Sequence, residues 1–274
     1  MLSIAEKRAG FRKLHESGCF VIPNPWDIGT ARYLAHLGFK AVASTSAGFA
    51  FSRGLADNAV PRDAVLAHLA ELVAAVDVPV NADFENGFAH DPQGVAESVR
   101  LGALTGVAGL SIEDSTGDAD APLYELAHAV ARIRAAREAL DAVAPDTMLV
   151  GRAEGFLVGR PDLDDVIARL RAYANAGADC LYAPGLRKAE QIRAVVEAVA
   201  PRPVNVLVSG PIGLNVKDLA ELGVRRVSVG GALARAAWGG FIRAASELAE
   251  HGTFDALAQA APHGTLNALF RDKP

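Results

Sequence analysis

The sequence predicts a (β/α)8 TIM barrel, and three observations support this fold class. The chain has 274 residues, and a barrel of eight strand-helix units typically needs about 250. Short runs rich in Val, Ile and Leu alternate with longer amphipathic stretches, as in parallel strands joined by crossover helices. The composition is 51% hydrophobic but only 6% aromatic, which favours a large core of Ala, Val and Leu. We expect one domain over residues 1–274.

The elements follow from the patterning along the chain. Residues 1–17 carry charges of both signs in an amphipathic pattern and predict a helix rather than a secretion signal. Eight apolar runs predict strands at 19–23, 41–44, 80–83, 109–113, 148–152, 180–183, 204–207 and 226–229. Amphipathic patterns predict crossover helices at 64–76, 91–104, 124–143, 163–176, 189–199 and 216–222. From about residue 237, apolar helices containing Trp238 and Phe241 continue to near Phe270, where they would cover the barrel or a neighbouring subunit.

Eight alternating strands can close into a barrel or form an open doubly wound sheet. An open dinucleotide-binding sheet would need a G-x-G-x-x-G turn after its first strand, and the sequence has neither this turn there nor a G-x-x-x-x-G-K phosphate loop. We therefore predict closure.

Charge and cysteine content exclude several classes of protein. The formal net charge is -5, from 27 basic and 32 acidic residues that are intermixed along the chain, so a nucleic-acid partner is not expected. No run approaches the ~20 apolar residues that span a bilayer. Cys19 and Cys180 lie far apart inside apolar runs, which predicts neither a disulfide framework nor a cysteine metal site and is typical of a cytoplasmic protein.

Acidic residues cluster at the predicted strand ends. The third strand runs into Asp83 and Glu85, the fourth ends at Glu113, and the fifth ends at Arg152. The carboxyl ends of barrel strands form the active site, and carboxylates suit Mg²⁺ or Mn²⁺. Taken alone, an Asp-x-Glu pair is more often a turn former or helix cap than a metal site, and Arg152 is more often a structural ion-pair partner.

Two further polar segments have open interpretations. Ser46, Ala47 and Gly48 follow the second strand and form either an ordinary turn or a nest of backbone N–H groups for an oxyanion. Asn205, on the seventh strand, would bond either a neighbouring loop or a ligand.

The motifs NADFENGFAH, residues 81–90, and GLSIEDS, residues 109–115, resemble those of the isocitrate lyase and phosphoenolpyruvate mutase superfamily. The similarity extends from Phe20 to Phe270. It implies that Asp83 binds a Mg²⁺ or Mn²⁺ ion directly, while Glu85 and Glu113 hold metal-bound water. Glu85 departs from the more usual aspartate by one methylene group.

The resemblance also assigns roles to the other polar residues. Asp57, in GLADN, matches an active-site aspartate near the metal, and Arg152, in VGRAE, matches the substrate-binding arginine; both are implied to be catalytic. The segment that begins at Ser46 matches the part that binds the substrate carboxylate, and Asn205, in PVNVL, matches an inner-strand asparagine. The family's last helix is exchanged between subunits, which implies a homodimer or homotetramer.

The segment 114–124, DSTGDADAPLY, matches the loop that closes over the substrate. Isocitrate and methylisocitrate lyases carry a Lys-Lys/Arg-Cys-Gly-His stretch there, and the phosphonate enzymes carry a lysine; this segment has neither and offers only Thr116. The resemblance therefore implies a Mg²⁺-dependent lyase that cleaves a carbon-carbon bond of an oxaloacetate- or methylisocitrate-like acid through a metal-stabilised enolate. Glu154 and Tyr182 are candidates for proton transfer.

Three alternatives remain open at this point. Carbon-phosphorus chemistry on phosphonopyruvate, as a mutase or hydrolase, would be recognised by its phosphate or phosphoenolpyruvate product. A barrel without the usual proton donor could instead bind a keto acid without turnover. A barrel of another family could carry acids at its rim by coincidence.

Overall fold

A computed structural model describes residues 2–271 of the chain. Eight short strands alternate with helices in this range, as the sequence predicts. Their bounds are β1 (Phe20–Ile22), β2 (Val42–Ala43), β3 (Val80–Asp83), β4 (Gly109–Glu113), β5 (Met148–Arg152), β6 (Cys180–Tyr182), β7 (Val204–Leu207) and β8 (Arg226–Ser228).

The strands form one parallel sheet that curls into a barrel. Their order is β1-β8-β7-β6-β5-β4-β3-β2, so β1 and β2 lie at the two sheet ends. These ends meet, because Ala43 N–H donates to the Pro23 carbonyl oxygen over 3.0 Å and the Asn24 amide donates to the Ser44 carbonyl oxygen over 2.8 Å. The predicted (β/α)8 barrel is confirmed, and the open-sheet alternative is wrong.

The helices surround this barrel and extend beyond its last strand. They are α1 (Ile4–Leu14), α2 (Ile28–His36), α3 (Ser46–Ser52), α4 (Arg62–Ala75), α5 (Pro92–Leu104), α6 (Leu126–Val143), α7 (Leu163–Asn175), α8 (Ala189–Val199), α9 (Val216–Glu221), α10 (Ala232–His251) and α11 (His263–Arg271), with a 3-10 helix over Asp255–Gln259. No helix within residues 2–271 combines the length and apolarity needed to cross a membrane.

Most predicted bounds agree with the structure within two residues, and β3, β4, β5, β7 and α8 agree at both ends. The helices α2 and α3 were not among the predicted ones. Both are short, with 9 and 7 residues, and they depend on side-chain caps: the Asp27 carboxylate accepts from Thr30 N–H, and the Thr45 hydroxyl accepts from Gly48 N–H. Gly48 in the first turn of α3 has weak intrinsic helix propensity, and that of Ser46 is only intermediate.

Helix α1 closes the amino-terminal end of the barrel. Phe11 is fully buried in the interior cluster of the barrel, and the ring of His15 packs edge-on against Phe11 and Phe20. His15 Nδ1 donates to the Phe11 carbonyl oxygen over 2.8 Å. Its Nε2 is therefore an acceptor and lies 3.4 Å from Arg226 Nη1. Burial, with a contribution from Arg226, lowers the pKa of His15 to about 3.

We expect His15 to make the fold less stable in acid. An unfolded chain protonates this histidine near pH 6.5, whereas the folded chain does so only near pH 3. The free energy of unfolding therefore falls, by up to about 1.4 kcal/mol for each pH unit below 6.5. Urea titrations measure how much the free energy of unfolding falls between pH 7 and pH 4.5. In His15→Gln this decrease should be about 2 kcal/mol smaller than in the unsubstituted protein. An equal decrease in the free energy of unfolding in both proteins would show that His15 does not cause the acid sensitivity.

The helices beyond the barrel bury little of their apolar surface. In α10 only Ala234 is buried, and α11 buries no residue. The exposed apolar side chains of this region are Leu233, Trp238, Phe241, Ile242, Leu248, Phe254, Leu257, Leu266 and Phe270.

Candidate active site

A cavity of about 180 Å³ opens at the carboxyl ends of the strands. This is the end at which (β/α)8 enzymes carry their catalytic groups. Six of the predicted site residues line it: Ser46, Ala47, Asp57, Asp83, Arg152 and Asn205. The structure thus brings the ends of β3 and β5, the start of α3, an inner residue of β7 and the loop of Asp57 into a single space.

Arg152 is the centre of the charged groups in this space. Its Nη1 lies 3.1 Å from Asp83 Oδ1 and 3.1 Å from Glu113 Oε2, and its Nε donates to Glu154 Oε1. The guanidinium carbon lies 5.1 Å from the centre of the Tyr182 ring. One half-buried arginine therefore contacts three carboxylates and an aromatic face.

The acidic groups carry more negative charge than Arg152 can offset. Burial raises the pKa of Glu85 to about 8, with repulsion from Asp83 and Asp57 adding to the effect. Burial also raises the pKa of Glu113, although the neighbouring Arg152 opposes the shift. The pKa of Asp57 is raised by burial as well, partly offset by the hydroxyl of Ser46. A further cation at this rim would relieve the repulsion.

The donor set fits a hard divalent cation that keeps part of its water shell. No group of three or more His, Cys, Asp or Glu side chains within residues 2–271 is already arranged to enclose a metal. Magnesium commonly binds through one or two carboxylates and several waters. Asp83 faces the cavity, while Glu85 and Glu113 line an adjoining space of about 410 Å³. A cation between these carboxylates would contact few of them directly, and water molecules would bridge it to the others.

The segment that begins at Ser46 is the first turn of α3 rather than a free nest. Ser46 N–H donates to Asp83 Oδ2 over 3.0 Å, and Gly48 N–H donates to the Thr45 hydroxyl over 3.3 Å. A Cβ atom on Gly48 would lie 2.6 Å from Thr45 Cγ2, so Gly48 serves close packing. Ala47 also lines the cavity.

The segment 114–124 is an ordered hairpin beside the acidic rim. Ser115 and Leu123 form an antiparallel bridge, and Tyr124 N–H donates to the Asp114 carbonyl oxygen over 2.9 Å. The Thr116 hydroxyl donates to the Ala121 carbonyl oxygen over 2.6 Å. Thr116 therefore holds the hairpin together, although it also lines the space beside Glu113.

Two arginines on the surrounding helices hold the acidic loops, and the sequence analysis missed both. Arg132 on α6 donates to the carbonyl oxygens of Glu113 and Ala89 over 3.1 and 3.0 Å, and also to that of Asn86. Arg169 on α7 lies 3.2 Å from the buried Asp114 carboxylate. No local motif marks these residues, since an arginine on an amphipathic helix ordinarily faces solvent.

Asp114 connects the loop after β4 to the loop after β5. Its carboxylate accepts from Tyr173 Oη over 2.6 Å and from Glu154 N–H over 2.8 Å. The hydrogen bond from Glu154 N–H to Asp114 therefore holds the backbone at Glu154 in place. This leaves Glu154 paired with Arg152 and less suited to proton transfer than the sequence suggested.

The interior of the barrel carries polar groups below the rim. Asn205 Nδ2 donates to Ser228 Oγ over 2.9 Å, and Asn205 Oδ1 accepts from Arg226 Nε over 2.9 Å. Asn24 Oδ1 accepts from Val229 N–H and Gly230 N–H. Both Asn24 and Arg226 line the cavity. Neither residue is among those predicted from the sequence, although an arginine at the start of an apolar strand is an available signal.

A (β/α)8 barrel with acidic strand ends around one arginine fits an enzyme of the isocitrate lyase and phosphoenolpyruvate mutase class. Residues 11–249 match the phosphoenolpyruvate phosphomutase family, and the chain belongs to it. The predicted resemblance is confirmed. Enzyme status is supported as well, so neither the non-catalytic barrel nor a barrel of another family remains as an alternative.

Individual relatives place the chain among lyases and mutases. A Burkholderia cenocepacia structure provisionally described as a lyase/mutase is 54% identical, with a TM-score of 0.95 and 98% coverage of both chains. Oxaloacetate decarboxylase of Pseudomonas fluorescens is 31% identical over 82% of this chain and 78% of its own. Oxaloacetate acetylhydrolase bound to oxalate is 26% identical, with a TM-score of 0.85, over 97% of this chain and 93% of that one.

Proposed function

We propose that this protein is a Mg²⁺- or Mn²⁺-dependent lyase that cleaves a carbon-carbon bond of a small α-keto or 2-hydroxy carboxylate. The observation that carries the proposal is the contact of Arg152 with Asp83 and Glu113 at the mouth of the cavity. The acidic rim would bind a cation, and the half-buried Arg152 beside it would bind the carboxylate of a substrate.

Asp83 would hold the cation directly, and Glu85 and Glu113 would hold its water ligands. When bound, a divalent cation would polarise the keto oxygen and stabilise the negative charge that develops as the bond at the β carbon breaks. The backbone supports Asp83 in this role: Ser46 N–H donates to its Oδ2 and Ser44 Oγ accepts from its N–H over 2.9 Å. These bonds fix the carboxylate before any ligand arrives.

Arg152 would bind the carboxylate of the substrate. Its hydrogen bonds to residues 2–271 use Nε and Nη1, and Nη2 donates to none of them. A substrate carboxylate at Nη2, with Ala47 N–H opposite, would fix the keto acid beside Asp83. Asp57 lines the same cavity near Ser46, where it would orient the reacting group.

Tyr182 is the proton donor that the structure favours. It lines the cavity, and burial raises its pKa to about 12. The phenol therefore stays protonated near neutral pH and can donate to the carbon that becomes negatively charged. Arg152 lies against the ring and would stabilise the phenolate left behind. Tyr182 would thus take over the proton-donating role of the cysteine that the loop lacks.

The relatives and the hairpin favour carbon-carbon over carbon-phosphorus chemistry. The decarboxylase and the acetylhydrolase both act, by name, on oxaloacetate. The hairpin offers no lysine for a phosphonate, and the Thr116 hydroxyl already bonds to the Ala121 carbonyl oxygen.

The proposal is tested by a substrate screen with and without metal. Purified protein with Mg²⁺ or Mn²⁺ is incubated with oxaloacetate, methylisocitrate, isocitrate, dimethylmalate and phosphonopyruvate, and EDTA-treated protein is the control. We expect metal-dependent cleavage of at least one carbon-carbon substrate. Release of phosphate or phosphoenolpyruvate from phosphonopyruvate alone would support the mutase or hydrolase alternative and overturn the proposal.

We also propose a homodimer or homotetramer in which the last helices pack on a neighbouring subunit. Trp238, Phe241 and Ile242 on α10 are 41%, 61% and 55% exposed, and Phe254 after it is 68% exposed. Apolar patches of this kind on a single chain mark association surfaces. The mass in solution by light scattering tests this, and a monomer would refute it.

A further inference from the structure

Arg226 is a buried cation inside the barrel, below the acidic rim. Its side chain extends inward from β8 and is 3% exposed. Nε donates to Asn205 Oδ1 over 2.9 Å, and Nη1 lies 3.4 Å from His15 Nε2 and 3.5 Å from Asn81 Oδ1. All three acceptors are neutral groups.

Among residues 2–271, this arginine lacks the counter-ion that a buried charge normally has. Buried arginines are rare unless they are paired, and Arg152 contacts three carboxylates. By contrast, no carboxylate within residues 2–271 lies at salt-bridge distance from Arg226. His15 cannot supply the charge, because an imidazole is neutral or positive.

The arginine also has a free donor that can reach a ligand. Its hydrogen bonds to the described residues use Nε and Nη1, so Nη2 has no acceptor among them. Arg226 lines the cavity, together with Asn205 and Ser228. The cavity therefore runs from an acidic rim to a positively charged floor.

We propose that Arg226 forms an anion subsite at the floor of the cavity and binds the second carboxylate of a dicarboxylate keto acid. This inference rests on the proposed function, because it assumes that the keto-acid end of the substrate lies at Asp83 and Arg152. The distal carboxylate would supply the missing counter-ion and accept from Nη2. A cavity of about 180 Å³ admits a compound of a few carbon atoms, so the substrate class is a short dicarboxylate.

The competing explanation is that Arg226 only cross-links the barrel interior. Its hydrogen bonds join β8 to Asn205 on β7, Asn81 on β3 and His15 next to α1. Such a cross-link would affect stability but would not discriminate one ligand from another. The two explanations therefore differ in ligand selectivity.

Asn205→Asp separates these explanations with a minimal change. It places a carboxylate oxygen where Asn205 Oδ1 now lies, 2.9 Å from Arg226 Nε, and so provides an internal counter-ion. The Ser228 hydroxyl, which now accepts from Asn205 Nδ2, can rotate and donate to the new carboxylate. Asn175→Asp, at the exposed end of α7, makes the same chemical change far from the cavity and is the matched control.

The experiment measures binding by calorimetry with Mn²⁺ present. The probes are 3,3-difluorooxaloacetate, a dicarboxylate that cannot enolise because fluorines replace both hydrogens at C3, and pyruvate, which has one carboxylate. We expect the unsubstituted protein to prefer the dicarboxylate. Asn205→Asp should weaken dicarboxylate binding by about 10- to 100-fold, the range for a lost charged hydrogen bond, and pyruvate binding by less than about twofold. Asn175→Asp should change neither.

Several outcomes would overturn the subsite. They are equal affinity of the unsubstituted protein for both probes, equal weakening of both by Asn205→Asp, or no weakening at all. If circular dichroism shows that Asn205→Asp does not fold, two other measurements still test the subsite. They are the preference of the unsubstituted protein for the dicarboxylate over pyruvate, and the loss of that preference in Arg226→Gln. If the screen finds no turnover but dicarboxylate selectivity is present and lost in Asn205→Asp, the proposed function fails and the subsite stands.

Discussion

Replacing Asp83 with asparagine is expected to lower kcat at least about a thousandfold on any substrate that the protein cleaves. The change removes the carboxylate proposed to hold the cation, and stabilisation by a metal contributes several kcal/mol, of which each ~1.4 kcal/mol is a factor of ten. Asparagine keeps the shape of the side chain, and its oxygen can still accept from Ser46 N–H. Steady-state kinetics with saturating Mn²⁺ measure the effect.

Metal affinity gives an independent readout for the same variant. Titration of Mn²⁺ followed by electron paramagnetic resonance should show binding at least about tenfold weaker than in the unsubstituted protein. Asp141→Asn, on α6 and paired with Arg137 over 2.8 Å, makes the same chemical change at the surface and should alter neither quantity. Unchanged kcat and Mn²⁺ affinity in Asp83→Asn would show that Asp83 is not the metal ligand.

Replacing Arg152 with methionine is expected to abolish turnover and also to destabilise the fold. Asp83, Glu113 and Glu154 would lose the cation that contacts all three. Leaving buried partners of an ion pair without their counter-charge typically costs about 3–5 kcal/mol. Urea unfolding measures this loss, and the activity assay measures turnover.

Arg152→Lys separates charge from geometry at the same position. Lysine keeps the positive charge but cannot contact several carboxylates through a planar fork. We expect it to recover most of the stability, while kcat/KM stays about 100-fold below that of the unsubstituted protein, because substrate placement is lost. Arg100→Met, an exposed change on α5 that breaks the Glu97 pair, should leave the melting temperature and turnover unchanged. Full activity in Arg152→Lys would contradict the carboxylate-binding role.

The sequence alone determined the order of strands and helices and named six residues that line the cavity as candidates for the site. Alternating apolar and amphipathic segments are local patterns, and eight such units predict a barrel. The same patterns place Asp83, Glu113 and Arg152 at strand ends, and parallel strands necessarily bring such ends to one rim. The family motifs around Asp83 and Glu113 then give these positions a chemical meaning.

Only the tertiary structure decided which groups neutralise one another. Arg152 and Asp83 are 69 positions apart, and Arg226 and His15 are 211 positions apart. Whether an arginine contacts three carboxylates, as Arg152 does, or only neutral acceptors among residues 2–271, as the buried Arg226 does, depends on side chains from several strands and helices. Electrostatic energies depend on distance and burial rather than on sequence separation. For this reason the sequence could supply the charged groups, and the fold alone could show which of them still lacks a partner.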